Sequence, residues 1–146
     1  MSNLVSLKVA KLAKSKGFNE ICMDLSYENS VYSLLKNPDK FLSIKDSYIK
    51  NPDNGFYIPS RNRLQSWLKG YGVMVTPGYV TNTIWQYPKS FTGKIKLVIT
   101  EYEVNVSRIG VWHKIGDELK TYSNFSSWNA AFEYGLLMGL ELLPNK

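Results

Sequence analysis

One cysteine, Cys22, and one histidine, His113, are all that this chain of 146 residues offers to thiolate or imidazole chemistry. Zinc sites need several such ligands. These two stand far apart with no pairing motif, so no metal is expected. A single cysteine closes no internal disulfide, which fits a reducing compartment. His113 falls in a predicted strand, Arg108 to Lys114, and no sequence neighbour supplies the partner that a general base needs. There is no Walker loop, no GxGxxG and no nucleophile elbow. No apolar run approaches the ~18 residues that suggest a membrane helix. The opening MSNLVSLKVAKLAKSKG is too interrupted by lysines for a secretory signal. These absences predict a cytoplasmic protein with no catalytic residue, no cofactor, no metal and no membrane contact.

Carboxylates could act without histidine. Glu101 and Glu103 alternate along a predicted strand, and a magnesium-dependent nuclease could join them to Asp24. Nothing in the spacing singles out that set. Two alternating glutamates are also what the solvated face of a sheet looks like.

Aromatic residues are abundant, with 10 Tyr and 4 Trp. They suit a β-rich core, or exposed anchors for a protein or a base. The net charge is +6, and it is uneven. Residues 1–70 carry 11 Lys or Arg against 6 Asp or Glu, and residues 71–146 carry 7 against 6. The basic half could attract nucleic acid or an acidic partner. Lysines on helices are more ordinarily a solvated face.

Three stretches have helical period. In the first, Leu4 to Lys16, Val5, Val9, Leu12 and Ala13 share a face, while Lys8, Lys11, Lys14 and Lys16 form the wet side. Gly17 is placed to stop it in a left-handed conformation, with Phe18 packing back. The second follows Pro59 with Ser60 as N-cap, and Leu64, Trp67, Leu68 and Tyr71 form its buried stripe. The third is the C-terminal stretch Tyr122 to Leu143, capped by Ser126 or Ser127 and stopped by Pro144. Its stripe takes in Trp128, Phe132, Gly135, Gly139 and Leu142. The Gly135 and Gly139 pair predicts close approach of this helix to a sheet.

Between these lie the strands. Ile21 to Tyr27 reads as a strand, Val31 to Asn37 as a short helix or strand edge, and Phe41 to Ile49 as one or two strands with long loops. Asn37-Pro38-Asp39 and Asn51 to Gly55 read as turns. Val73 to Thr76 leads into Pro77-Gly78, a type II turn signal. Tyr79 to Tyr87, Lys94 to Val106 with a bulge, Arg108 to Lys114 and Leu119 to Tyr122 complete the set. The expected fold is a single α+β domain over 1–146. An antiparallel sheet of about 4–5 strands carries an N-terminal, a central and a C-terminal helix.

Candidate binding residues are Arg61, Arg63 and Lys69 on the second helix, with Tyr79, Trp85 and Tyr87 on the strand after it. They would serve a basic, aromatic surface. The α-β-β-β-α order after Ser60 loosely matches double-stranded-RNA-binding domains, but the last helix has none of their basic residues.

Three segments together carry a resemblance. IPSRNRLQSWLKGYGVMV, Ile58 to Val75, is similar to a recurring "aP(T/S)…LQkWLRe.h.i.V" segment. FSSWNAAFEYGLLMGLELL, Phe125 to Leu143, is similar to a closing "Y.S(Y/W)EeAfEaGLleaLkLI" segment. LKVAKLAKSKGF, Leu7 to Phe18, resembles "leiAklLKekGF". The chain thus resembles a family of small uncharacterised proteins encoded by phages and prophages of gut Bacteroides-type bacteria. The match covers about a third of the chain. It departs at Leu68-Lys69-Gly70-Tyr71-Gly72, where the pattern has a basic-acidic run, and at Asn129, where it has an acid. The resemblance implies a phage-borne accessory protein of the host cytoplasm and brings no catalytic residues with it.

Three functions follow as expectations. The first is a non-enzymatic binding protein acting by protein–protein contact or self-association. The second is a nucleic-acid-binding module using the basic helix and aromatic strands. The third, motivated by the family setting alone, is capture of a small nucleotide signal in counter-defence.

Overall fold

Local capping chemistry sets the ends of the helices. The computed structural model describes residues 3–86, 94–108 and 119–145, with the backbone alone described over 80–86, 94–100 and at 119. Helix α1 spans Leu7–Ser15, later in starting than its apolar period suggested, because Ser6 is the N-cap and accepts from Val9 N–H. Its far end is a Schellman motif: Phe18 N–H donates to Ala13 O at 2.9 Å, Gly17 N–H donates to Lys14 O at 3.0 Å, and Gly17 has φ 100°. Helix α3, Arg61–Gly70, is capped by Ser60 as expected, and Gly72 follows it at φ 80°. Helix α4, Trp128–Glu141, is capped by Ser127.

A fourth helix, α2, occupies Pro38–Lys50, where strands and loops were expected. The same residues that signal a turn start this helix. Asn37 caps it through its side chain, Pro38 opens the first turn, and Asp39 sits at the positive end of the helix dipole. Phe41, Ile44 and Tyr48 then recur at helical spacing, and Phe41 and Tyr48 are buried.

The strands form two antiparallel sheets of three, not one sheet of 4–5. The smaller has order β2-β1-β3, from β1 (Asp24–Tyr27), β2 (Ser30–Ser33) and β3 (Gly55–Tyr57). The larger has order β4-β5-β6, from β4 (Val73–Gln86), β5 (Lys94–Arg108) and β6 (Leu119–Phe125). Two expected features change here. Pro77-Gly78 makes no turn, since both residues pair with β5 inside a continuous β4. The strand tolerates this proline because β4 is an edge. Val75 points its carbonyl outward, where Gln65 Nε2 donates to it at 2.6 Å. Backbone groups two residues apart face the same edge, so the donor that Pro77 lacks would have faced away from β5. Second, Tyr122 to Phe125 belongs to β6 and not to the last helix. The expected bulge is present: the β4–β5 register shifts between Val80 and Thr81.

α4 lies on the larger sheet against Val73, Val75 and Val104. A methyl group added at Gly135 would overlap Val104 and come within 2.8 Å of Val75 Cγ1; at Gly139 it would reach Val75 Cγ2 at 3.0 Å. The two glycines therefore set the distance of helix from sheet. Ala131, Phe132, Leu136 and Leu140 complete the buried face, each large apolar chain contributing roughly 1.5–3 kcal/mol. Trp128, expected in that face, is exposed at the helix start.

α1 runs beside α4 in the same direction. Ser6 N–H donates to Glu133 Oε1 at 3.0 Å at one end, and Lys16 Nζ donates to Leu143 O at 2.7 Å at the other. Lys16, expected on the wet face, is thus buried as a cap on the negative end of α4. Buried residues of both sheets belong to one apolar cluster. Among the described residues no helix is long and apolar enough to cross a membrane.

Candidate functional site

The sequence-predicted binding residues are spread over separate surfaces. Arg61 Nε lies 3.3 Å from Glu133 Oε1, the oxygen that also accepts from Ser6. Arg63 Nε lies 3.6 Å from Glu20 Oε2. Two residues apart on a helix of 3.6 residues per turn, these arginines point about 200° from each other. Lys69 borders a groove of about 230 Å³ shared with Gln65, Ser66 and the start of β4. Tyr79 is 57% exposed on β4, at the register position of Tyr102. Trp85 pairs with Ile95 through the backbone of the β4–β5 ribbon. Tyr87 and His113 lie outside the described residues. α3 therefore brings two of its three cations to acidic partners instead of presenting one basic stripe.

The carboxylates considered for metal chemistry are also dispersed. Asp24 is in β1 of the small sheet, whereas Glu101 and Glu103 are in β5 of the large one. Among the described residues no group of three or more His, Cys, Asp or Glu is placed to hold a metal ion.

A polar cleft of about 470 Å³ lies between α1 and β3 and includes Lys11, Lys14, Asn29 and Asp53. Lys14 is spent on structure. Its ammonium donates to Pro52 O and, at 2.5 Å, to Gly55 O, and it stands 5.2 Å above the Tyr48 ring. Burial lowers its pKa, with Asp53 opposing that shift. The lysine clamps the loop before β3 onto α1.

The small lobe, built from β1–β3 and α2, has a different character. Eleven large apolar side chains stand exposed among the described residues. Six of them come from the stretch 21–49: Val31, Leu42 and Ile49 in β2 and α2, and Ile21, Met23 and Leu35 in the segments that flank β1, β2 and α2. Leu42 and Ile49 are seven residues apart and so lie on one stripe of α2, beside the stripe that buries Phe41 and Tyr48. Ile49, 65% exposed, joins Ile21 around a hollow of about 380 Å³ that also includes Tyr48, Tyr57 and Lys45. The two tyrosine rings meet edge-on at 5.2 Å, and burial raises both phenol pKa values. The hollow therefore has an ordered aromatic floor and an apolar rim. The sequence hides it, because Phe41 to Ile49 reads as one or two strands with long loops, whereas the segment is helical. At helical spacing the second apolar pair, Leu42 and Ile49, is visible as surplus to the buried stripe.

A smaller cavity opens where α3 and α4 begin, with Arg61, Asn62, Trp128 and Asn129 in its wall. Comparison with known proteins finds no matching family model, no similar curated protein and no similar solved structure.

Proposed function

We propose that this chain is a non-enzymatic binding protein that contacts another protein through its small lobe. The observation that carries the reading is the pair of exposed side chains Ile21 and Ile49 beside Tyr48 and Tyr57 in one hollow, with Met23, Val31, Leu35 and Leu42 also exposed in the stretch between them. Contiguous apolar surface left in water marks contact sites more often than scattered single residues do. The aromatic floor fits this role, because a partner's side chain entering the hollow would meet rigid rings. The resemblance to phage and prophage proteins supplies a setting, the host cytoplasm, and no chemistry. Of the positions that carry it, Leu64, Leu68, Ala131, Phe132, Gly135 and Leu136 are buried, so they serve packing. The nucleic-acid alternative draws less support, since Arg61 and Arg63 face glutamates on opposite sides of α3.

A photo-reactive amino acid placed at Ile49, with a control at exposed Lys8, tests this in expressing cells. The expected result is a discrete protein adduct at Ile49 that disappears when Leu42→Ser is added. An adduct of two copies of the chain would identify self-association. No discrete adduct, or equal labelling from Lys8, would overturn the reading.

A further inference from the structure

The polar cleft of about 470 Å³ between α1 and β3 has its floor on the face of the small sheet turned away from the core. Leu25 and Tyr27 are buried in the core, so strand alternation turns Ser26 to the other face. Its register partner on β3, the half-buried Phe56, lies on that face too. Lys11, Lys14 and Ser15, at i, i+3 and i+4 on α1, form a wall, and Asn29 and Asp53 stand at the rim. These parts are tied together. Lys14 holds the loop before β3 to α1 through Pro52 O and Gly55 O. Glu28 N–H donates to Asn54 O at 3.0 Å and joins the β1–β2 turn to the same loop. Both central residues of that turn are left-handed, Glu28 at φ 48° and Asn29 at φ 67°. Such turns ordinarily take glycine or asparagine, so a glutamate there strains the backbone. The cleft is shaped before anything enters it.

What the lining can bind follows from which groups only donate and which only accept. Ser26 is 6% exposed, yet its hydroxyl makes no hydrogen bond to another described residue. Buried polar groups without a partner are rare, and a polar ligand in the cleft would supply one. Lys11 is exposed on the wall and stands in no ion pair with a described residue. Its ammonium only donates, so it calls for an acceptor, and an anion most of all. The Asp53 carboxylate only accepts, so it calls for a hydroxyl or an amine. The Asn29 carboxamide does both. Phe56 offers an apolar face to a ring. Two lysines against one carboxylate leave the lining net positive, which again favours an anion. The volume lies within the ~300–1,000 Å³ of small-molecule pockets.

We infer that this cleft binds a phosphorylated sugar, whose phosphate meets Lys11 while its hydroxyls meet Asp53 and Ser26. Phe56 lies against the sugar ring or a base attached to it. The cleft shares no lining residue with the hollow of Ile21 and Ile49, so this site and the protein-binding surface stand or fall separately.

The test uses the full chain, labelled with nitrogen-15 and titrated with ribose 5-phosphate, adenosine monophosphate, ribose and inorganic phosphate. The expected result is saturable shifts of the Asn29 carboxamide and the Gly55 amide with a phosphorylated sugar. Ribose and inorganic phosphate should bind at least about tenfold more weakly, as each lacks one half of the recognition. The stronger of ribose 5-phosphate and adenosine monophosphate tells whether a base belongs to the ligand. Lys11→Glu, on the exposed side of α1, should leave the fold intact and weaken binding at least about tenfold. Ser26→Ala is the more decisive variant. It removes a hydroxyl that no described residue bonds, so the melting temperature should hold or rise, yet binding should weaken about fivefold. A serine retained for stability would do the reverse. No saturable shift with either phosphorylated sugar, equal affinity for ribose or inorganic phosphate, or binding unchanged in either variant would overturn the inference.

Discussion

The β4–β6 sheet turns Val73, Val75 and Val104 onto α4, whereas the small sheet, α2 and the segments that flank them leave six large apolar side chains exposed. Both regions are built from amphipathic helices on three-stranded antiparallel sheets. They differ in what surplus apolar residues do. On α4 nearly every apolar residue has a partner, and the helix comes close enough to the sheet that glycine is needed at two positions. On α2 one stripe, Phe41 and Tyr48, is enough to hold the helix down, and a second stripe, Leu42 and Ile49, is left over. Substitutions should therefore separate the regions: the first by stability, the second by binding.

The largest effect is expected at Gly135. Gly135→Ala forces a methyl group onto Val104 and should lower unfolding free energy by about 3 kcal/mol in a denaturant titration, overpacking outweighing the ~1 kcal/mol gain in helix propensity. Gly139→Ala meets its neighbours at 3.0 Å and beyond and should cost markedly less. Equal losses at the two positions would mean that the helix does not sit as closely over Val104 as described.

Next comes the cap that joins α1 to α4. Lys16→Met retains the buried stem and removes the donor to Leu143 O, so a loss of about 2 kcal/mol is expected by thermal or chemical unfolding. Lys8→Met, on the exposed face of the same helix, should change stability by less than about 0.5 kcal/mol.

Alkaline pH should act on the core around β1, β3 and α2 through three buried groups. Burial raises the pKa of Cys22, Tyr48 and Tyr57 above ordinary values of 9.0 for the thiol and 10.0 for the phenols. For such groups the unfolded chain loses its protons first, so the stability they contribute is full below those values and declines as pH rises through the raised ones. Lys14 works the other way: its pKa is lowered from 10.5, so it adds stability as pH rises through the lowered value toward 10.5. Above pH 9.0 the thiol and the two phenols pull the denaturant midpoint down, and Lys14 opposes them. Tyr48→Phe should weaken that downward pull.

How much of this was legible depends on how local each signal is. Ser60, Gly17 with Phe18, and a serine cap at 126 or 127, which the structure assigns to Ser127, were readable because caps involve residues a few positions apart. The Gly135 and Gly139 pair was readable because small residues at that spacing have one structural use on an apolar helix outside a membrane. α2 was not, because Asn37-Pro38-Asp39 is both a turn signal and a helix start, and only the packing of Phe41 and Tyr48 decides between them. Pro77-Gly78 failed as a turn because the edge position of β4 removed the penalty for proline, and edge position is a property of the whole sheet. The candidate surfaces were the least legible. Arg61 and Arg63 are basic in the sequence, but the acids opposite them, Glu133 and Glu20, come from distant parts of the chain. Trp128 has helical spacing with Phe132, yet it stands exposed in the first turn of α4.

The smallest expected change in stability carries the central claim. The double variant Leu42→Ser, Ile49→Ser should unfold within about 0.5 kcal/mol of the parent chain, since both side chains already stand in water. In the same samples, a photo-reactive group placed at Ile21 should lose the protein adduct it forms in the parent. A stability loss of about 2 kcal/mol or more would show that these residues belong to the core. An unchanged adduct would show that the small lobe is not where the partner binds.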